Sequence, residues 1–132
     1  MHTLRSGSPF EELASYSRAT RIGDLVAVAG TAATDASGAC VPADDVAEQT
    51  RECFRRALDA AAKLGATRED VFRTRVYLAP GADWRAAVEV HGEIFAGVNP
   101  ANTTLAVAEL IPKDCLVEIE VDAVASGPVV QG

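Results

Sequence analysis

Apolar positions along the chain repeat with two different periods, and these periods separate strands from helices. Residues 16–21 and 25–29 flank the turn residues Ile22, Gly23 and Asp24, a spacing that predicts a β-hairpin. Residues 25–29 are apolar without alternation, which is typical of a strand covered on both faces. We therefore expect helices on one face of this strand and a partner subunit on the other.

Two segments carry apolar residues at helical spacing. The first begins at Asp45, which forms a predicted capping box with Glu48, and it ends before Gly65. The second follows Asp83, another predicted N-cap, and ends at Gly97. The remaining face of the first helix is charged, and we interpret it as a solvated surface.

Three further strands are predicted at residues 71–78, 103–110 and 115–125. The resulting order is ββαβαββ with no internal repeat, which indicates an α+β fold with a mixed sheet and both helices on one face. We expect residues 1–132 to form a single domain. Residues 1–13 are expected to be a loosely held arm and residues 126–132 a flexible tail.

Composition and charge narrow the classes of function. A chain of 132 residues with 48% apolar residues suffices for one core. A net charge of −7 offers no basic surface for nucleic acid and disfavours anionic membranes. No apolar run reaches the roughly 18 residues that span a bilayer. Cys40, Cys53 and Cys115 are widely spaced, so we expect free thiols and a cytoplasmic protein.

Acidic residues alternate with apolar ones along the last strand. Glu118, Glu120 and Asp122 share one face, and carboxylates two positions apart lie about 7 Å from each other. At that distance, partial burial would raise one pKa and permit general acid catalysis. The alternative is a solvated acidic face that Arg73 and Arg75 neutralise across the sheet.

Other kinds of site find little support in the sequence. His91 lies on the apolar stripe of the second helix, which favours a core histidine over a proton shuttle. No metal-ligand cluster and no glycine-rich phosphate loop occur, so we expect neither a metal nor any other cofactor. Any catalysis would then be acid–base chemistry on a small molecule that is already reactive.

Several short motifs, taken in order and spacing, resemble the RidA/YjgF family over nearly the whole chain. The family consists of trimers with a chorismate-mutase-like fold, and its better-known members hydrolyse reactive imines and enamines in clefts between subunits. The resemblance implies a homotrimer for this chain. The motifs are Gln49-Thr50-Arg51, Val76-Tyr77-Leu78, Pro100-Ala101, Pro112-Lys113-Asp114 and Val117-Glu118-Ile119-Glu120.

The resemblance also implies site residues. Glu120 is placed on the family glutamate that positions the hydrolytic water. Gly30 and Thr31 would offer backbone N–H groups to the substrate. The remaining cleft residues would be Tyr16, Asn102 and Thr104.

Two positions depart from the family. Asn102 replaces an arginine that binds the substrate carboxylate, and Val88 replaces an asparagine. An asparagine offers a neutral amide instead of two charge-assisted hydrogen bonds, so ordinary 2-imino acids are unfavourable substrates. Arg73 and Arg75, which share one strand face, are the candidates for a relocated positive charge.

Three functions follow from this pattern. The first is a cofactor-free hydrolase of imine- or enamine-type molecules that lack the α-carboxylate. The second is a pathway tailoring enzyme that catalyses a dehydration or a cyclisation in the same cleft. The third is a non-catalytic trimer that binds a small molecule.

Overall fold

The computed structural model describes residues 1–130, which form a six-stranded mixed sheet with the two long helices on one face. The strands are β1 His2–Leu4, β2 Ala19–Ile22, β3 Leu25–Thr31, β4 Val71–Leu78, β5 Ala101–Ala106 and β6 Val117–Val124. Their order in the sheet is β1-β2-β3-β6-β4-β5, and among these pairs only β4–β5 is parallel. The α+β class and mixed sheet predicted from the sequence are confirmed.

Helix α2, Val46–Lys63, packs across β3 and β6, and helix α3, Trp84–Ile94, lies beside it. Both predicted N-caps are present, because the Asp45 side chain accepts from the Glu48 N–H and that of Asp83 from the Ala86 N–H. Among the described residues, no helix is long and apolar enough to cross a membrane.

Alternation along the central strands separates a core face from an open face. On β6, Val117, Ile119 and Val121 are fully buried beneath the helices. The neighbouring Glu118 and Glu120 lie on the open face and are only partly buried. Strand positions therefore decide which side chains remain available for chemistry.

The expected N-terminal arm is ordered. Strand β1 pairs with β2, and Pro9–Ala14 forms the short helix α1. Glu11 is fully buried in the arm, where burial alone would raise its pKa. Hydrogen bonds from Ser6 outweigh that effect and lower the pKa of Glu11. A six-residue helix is too short to give a helical period in the sequence.

The predicted C-terminal tail is held along the part that the structure describes. The Gly127 N–H donates to the Gly65 carbonyl, and the Val130 N–H donates to that of Lys63. A Cβ at Gly65 would lie 2.4 Å from the Gly127 oxygen, and its φ of +92° also favours glycine. Residues 131 and 132 of the predicted tail lie outside the described residues.

The prediction of three free thiols is wrong. Cys40 and Cys115 form a disulfide with their Cα atoms 5.1 Å apart, and only Cys53 is free. The two cysteines are 75 positions apart in the sequence, so their spacing does not indicate that the loop after β3 and the segment before β6 lie side by side. Burial raises the pKa of the Cys53 thiol to about 12, so this residue behaves as a small apolar side chain.

Candidate functional site

A β-bulge interrupts the pairing of β3 with β6. Val28 pairs with Val121 and Thr31 with Ile119, so two residues of β3 oppose one residue of β6. Such a bulge takes backbone groups out of the ladder and bends the strand. The bulge residues are Ala29 and Gly30, and the Gly30 carbonyl accepts a hydrogen bond from the Arg18 guanidinium.

The Glu118 carboxylate lies against the bulge. A Cβ built on Gly30 would be 2.8 Å from Glu118 Oε2, so the glycine leaves the space that the carboxylate occupies. Burial raises the pKa of Glu118, and the charge of Arg18 partly offsets that increase. Among residues 1–130, no side chain hydrogen-bonds to this carboxylate, which leaves it available to a ligand or water.

Glu118 borders a cleft of about 680 Å³, which we call the β3 cleft. Its walls come from the N-terminal arm, the bulge, one side of α2 and the segment before β6. The lining includes Tyr16, Arg18, Thr31, Arg56, Ile111 and Lys113. The lining contains two carboxylates, those of Asp59 and Glu118, and several cations, a mixture that suits a polar small molecule.

The disulfide and two buried or half-buried side chains fix the walls of the β3 cleft. Arg56 donates to the Ala32 and Thr34 carbonyls and holds the chain after β3 against α2. The fully buried Gln49 donates to the Pro42 carbonyl and accepts from the Leu116 N–H. Gln49 thus joins the two segments that carry the disulfide.

Glu120 occupies a different environment. Its carboxylate accepts a hydrogen bond from the Tyr77 hydroxyl, and this bond raises the pKa of Tyr77. Nearby, Arg75 pairs with Asp122 at 3.0 Å on the same open face of the sheet. Glu120 does not line the β3 cleft, and Arg75 has a carboxylate partner within its own chain.

A second cleft of about 610 Å³ lies between β5 and α3, and we call it the β5 cleft. Asn102 and Thr104 line it, because the parallel register with Thr74 and Val76 turns them toward the helix side of the edge strand. The other walls are largely apolar and include Leu78, Trp84, Val88 and Leu105.

The residues predicted for one site therefore lie in three places within the chain. Tyr16, Gly30 and Thr31 border the β3 cleft, although the Thr31 hydroxyl donates to the Ala29 carbonyl. Glu120 and Arg75 lie on the open sheet face. Asn102 and Thr104 border the β5 cleft.

Sequence reasoning assigned the cleft carboxylate to Glu120 and gave no role to Arg18. Glu118 and Glu120 share a strand face, so alternation alone could not distinguish them. The available signal was Gly30, because a glycine inside an apolar strand indicates a bulge or a close approach. Within residues 1–130, no group of three or more potential ligands is arranged to hold a metal ion.

The fold places this chain among small α+β proteins with a mixed sheet and two long helices on one face. The family model described as Endoribonuclease L-PSP matches residues 7–125. The chain therefore belongs to the Endoribonuclease L-PSP family, also called the YjgF or RidA family, as the sequence motifs indicate.

Individual relatives agree with this assignment. An uncharacterized protein of Streptomyces coelicolor is 41% identical over 91% of this chain and 89% of its own length. The 3-aminoacrylate deaminase RutC of Acinetobacter baylyi is 31% identical over 88% of this chain and 90% of its own. The crystal structure of Rv2704, a YjgF/YER057c/UK114 family member from Mycobacterium tuberculosis, superposes with a TM-score of 0.83. That structure is 43% identical, and the match covers 94% of this chain and 98% of the other.

Proposed function

We propose that this chain is a cofactor-free hydrolase that converts imines or enamines lacking an α-carboxylate into carbonyl compounds and ammonia. The observation that carries this proposal is the Glu118 carboxylate, half-buried in the β3 cleft against Gly30 with no hydrogen bond from a described side chain. Two relatives support the reaction class, since their names are 3-aminoacrylate deaminase and 2-iminobutanoate/2-iminopropanoate deaminase.

The reaction needs a base for water and an acid for nitrogen, and one carboxyl group can serve both steps. Ionised Glu118 accepts a proton from water as the oxygen bonds to the imine carbon, and the C=N π pair moves to nitrogen. That proton then goes to the nitrogen, which gives a carbinolamine. Glu118 next takes the hydroxyl proton and passes it to the amino nitrogen, so that the C–N bond breaks and ammonia leaves as the C=O bond forms. A raised pKa suits this exchange because it makes the Glu118 carboxylate a stronger base toward water than an ordinary carboxylate.

The residues that line the β5 cleft support a substrate without a carboxylate. Its lining contains no charged side chain among the described residues, and Asn102 offers only a neutral amide. Within the proposal, three copies associate through the open sheet face, so that the β5 cleft of one copy faces the β3 cleft of the next. This assembly would bring the separated site residues together.

Substitution of the two neighbouring glutamates tests the proposal. The substrate is an imine generated in situ by a flavin amine oxidase from an amine without a carboxylate, with semicarbazide as the competing trap. Glu118→Gln should reduce imine hydrolysis by about 100-fold, the usual scale of lost acid–base catalysis. Glu120→Gln, the matched control, should retain most of the rate, because Glu120 is hydrogen-bonded to Tyr77 outside the β3 cleft.

If Glu120→Gln lost more of the rate of imine hydrolysis than Glu118→Gln, the catalytic residue would be Glu120, as expected from the sequence. Thermal unfolding supplies the check on folding. Burial disfavours the charged form of Glu118 and so raises its pKa. Glu118→Gln removes that buried charge and should therefore not lower Tm. Wild-type protein that binds but never hydrolyses such imines would favour the binding-only alternative.

A further inference from the structure

A chain of hydrogen bonds runs from the β5 cleft into the core. Thr104 Oγ1 donates to Asn102 Oδ1 at 2.8 Å, and Asn102 Nδ2 donates to Thr74 Oγ1 at 3.1 Å. Thr74 Oγ1 lies 2.7 Å from His91 Nε2. Thr74 is fully buried, whereas Asn102 is exposed to the cleft.

The number of available protons decides which atom donates in each hydrogen bond of this network. Among the described residues, the side-chain partners of Thr74 Oγ1 are Asn102 Nδ2, which donates to it, and His91 Nε2. The buried Thr74 hydroxyl proton is therefore paired only if it goes to His91 Nε2. His91 must then be neutral, with its own proton on Nδ1. Burial lowers the pKa of His91, in agreement with the neutral form. The Phe54 and Phe95 rings pack against the imidazole, with their centroids 5.6 Å and 4.8 Å from that of His91, and hold it in place.

The donors and acceptors used within this hydrogen-bond network determine which polar groups remain for a ligand in the cleft. The Thr104 proton and one Asn102 N–H are used within the protein. One N–H of Asn102 and the lone pairs of Thr104 Oγ1 remain. The cleft therefore presents one donor beside an acceptor, against an apolar wall that includes Trp84 and Leu105.

This pattern discriminates between neutral and anionic groups. A carboxamide has a carbonyl to accept from Asn102 and an N–H to donate to Thr104. A carboxylate has acceptors only, so one of its oxygens would face the lone pairs of Thr104 with no compensating cation in the lining.

We propose that the β5 cleft binds a neutral carboxamide or lactam group of the substrate, and that Thr74 and His91 are positioning residues that fix the Asn102 amide for this purpose. The inference rests on the proposed function, because it makes the substrate an imine or enamine whose neighbouring carboxyl carbon is an amide. The apolar substituent of that substrate would pack against Trp84 and Leu105.

Binding of two matched probes, 2-oxobutanamide and 2-oxobutanoate, measured by calorimetry on the 132-residue chain, tests this inference. Wild-type protein should bind the amide at least tenfold more tightly. Thr74→Val and His91→Phe should each lower the ratio of the two affinities at least threefold, because the Asn102 amide can then rotate. Thr74→Ser keeps the hydroxyl and should restore the ratio, which a purely structural role would not predict. Asn102→Arg should favour the carboxylate.

Equal affinity for the two probes, preference for the carboxylate, or no binding of either at millimolar concentration would overturn the inference. An amide preference in wild-type protein that does not hydrolyse imines would count against the proposed function alone. Hydrolysis with no amide preference would count against this inference alone.

Discussion

Two glutamates on the same strand face show how strongly local surroundings decide the chemistry of a residue. Glu118 faces a glycine across a bulge, in space that any Cβ would fill. Glu120, two positions later, accepts a hydrogen bond from the Tyr77 hydroxyl outside the β3 cleft. We infer that the bulge at Gly30 determines which carboxylate enters the β3 cleft.

Gly30→Ala measures this effect at the level of a single methyl group. The new Cβ would approach Glu118 Oε2, the movable end of a side chain, so the carboxylate should shift while the backbone stays in place. We expect unchanged circular dichroism and a rate of imine hydrolysis at least tenfold lower, since small displacements of a catalytic group are costly. Ala29→Ser, at the other bulge residue, is the control. An unaltered rate in Gly30→Ala would show that this contact does not position the catalytic carboxylate.

The sequence alone identifies the acidic strand face but not the surroundings of each carboxylate on it. Alternation identifies Glu118, Glu120 and Asp122 as neighbours, whereas the location of a bulge depends on how β3 pairs with a strand nearly 90 residues later. The same limit explains Asn102, since the parallel β4–β5 register decides its cleft and is not encoded in any local pattern.

At the level of elements, local signals predicted the helices well. The caps at Asp45 and Asp83 and the stop at Gly65 agree with the structure, because each depends on residues within one turn. Contacts between distant segments were not predictable in this way. Gln49 has a polar side chain on a helical face, and its burial is evident only once the loops around Cys40 and Cys115 are in place.

Gln49→Leu tests how much this helix contributes through its loop contacts. The substitution preserves volume but leaves the Pro42 carbonyl and the Leu116 N–H without their partner. We expect the free energy of unfolding to fall by about 2 kcal/mol or more, as measured by urea denaturation. Asp59→Asn on the exposed face of α2 should change it by less than about 0.5 kcal/mol. Equal effects of the two substitutions would contradict the bridging role.

For the whole molecule, the open sheet face is the principal unpaired surface of the described chain. Leu25 and Val124 pair across β3 and β6, and they are 55% and 46% exposed. Val26, the next residue of β3, is 2% exposed on the opposite face. The helices of the same chain therefore cover one face of β3, as expected from the sequence. We propose that two further copies cover the open face.

Sedimentation velocity at micromolar concentration should give about three times the 13.8 kDa chain mass. Val124→Asp would place a carboxylate in the proposed interface, so we expect it to yield folded protein of lower mass. Val26→Asp should instead prevent folding, because its carboxylate would enter the core. A wild-type monomer would remove the basis for a cleft shared between copies.

The position of Gln49 has a consequence for the behaviour of the two joined cysteines after reduction. Its hydrogen bonds hold the Pro42 and Leu116 segments without help from the sulfur atoms. The thiols of Cys40 and Cys115 would therefore stay within bonding reach, with Cα atoms at a normal disulfide spacing. Each thiol would encounter the other at a high effective concentration, so the bond can break and re-form while the walls of the β3 cleft keep their places.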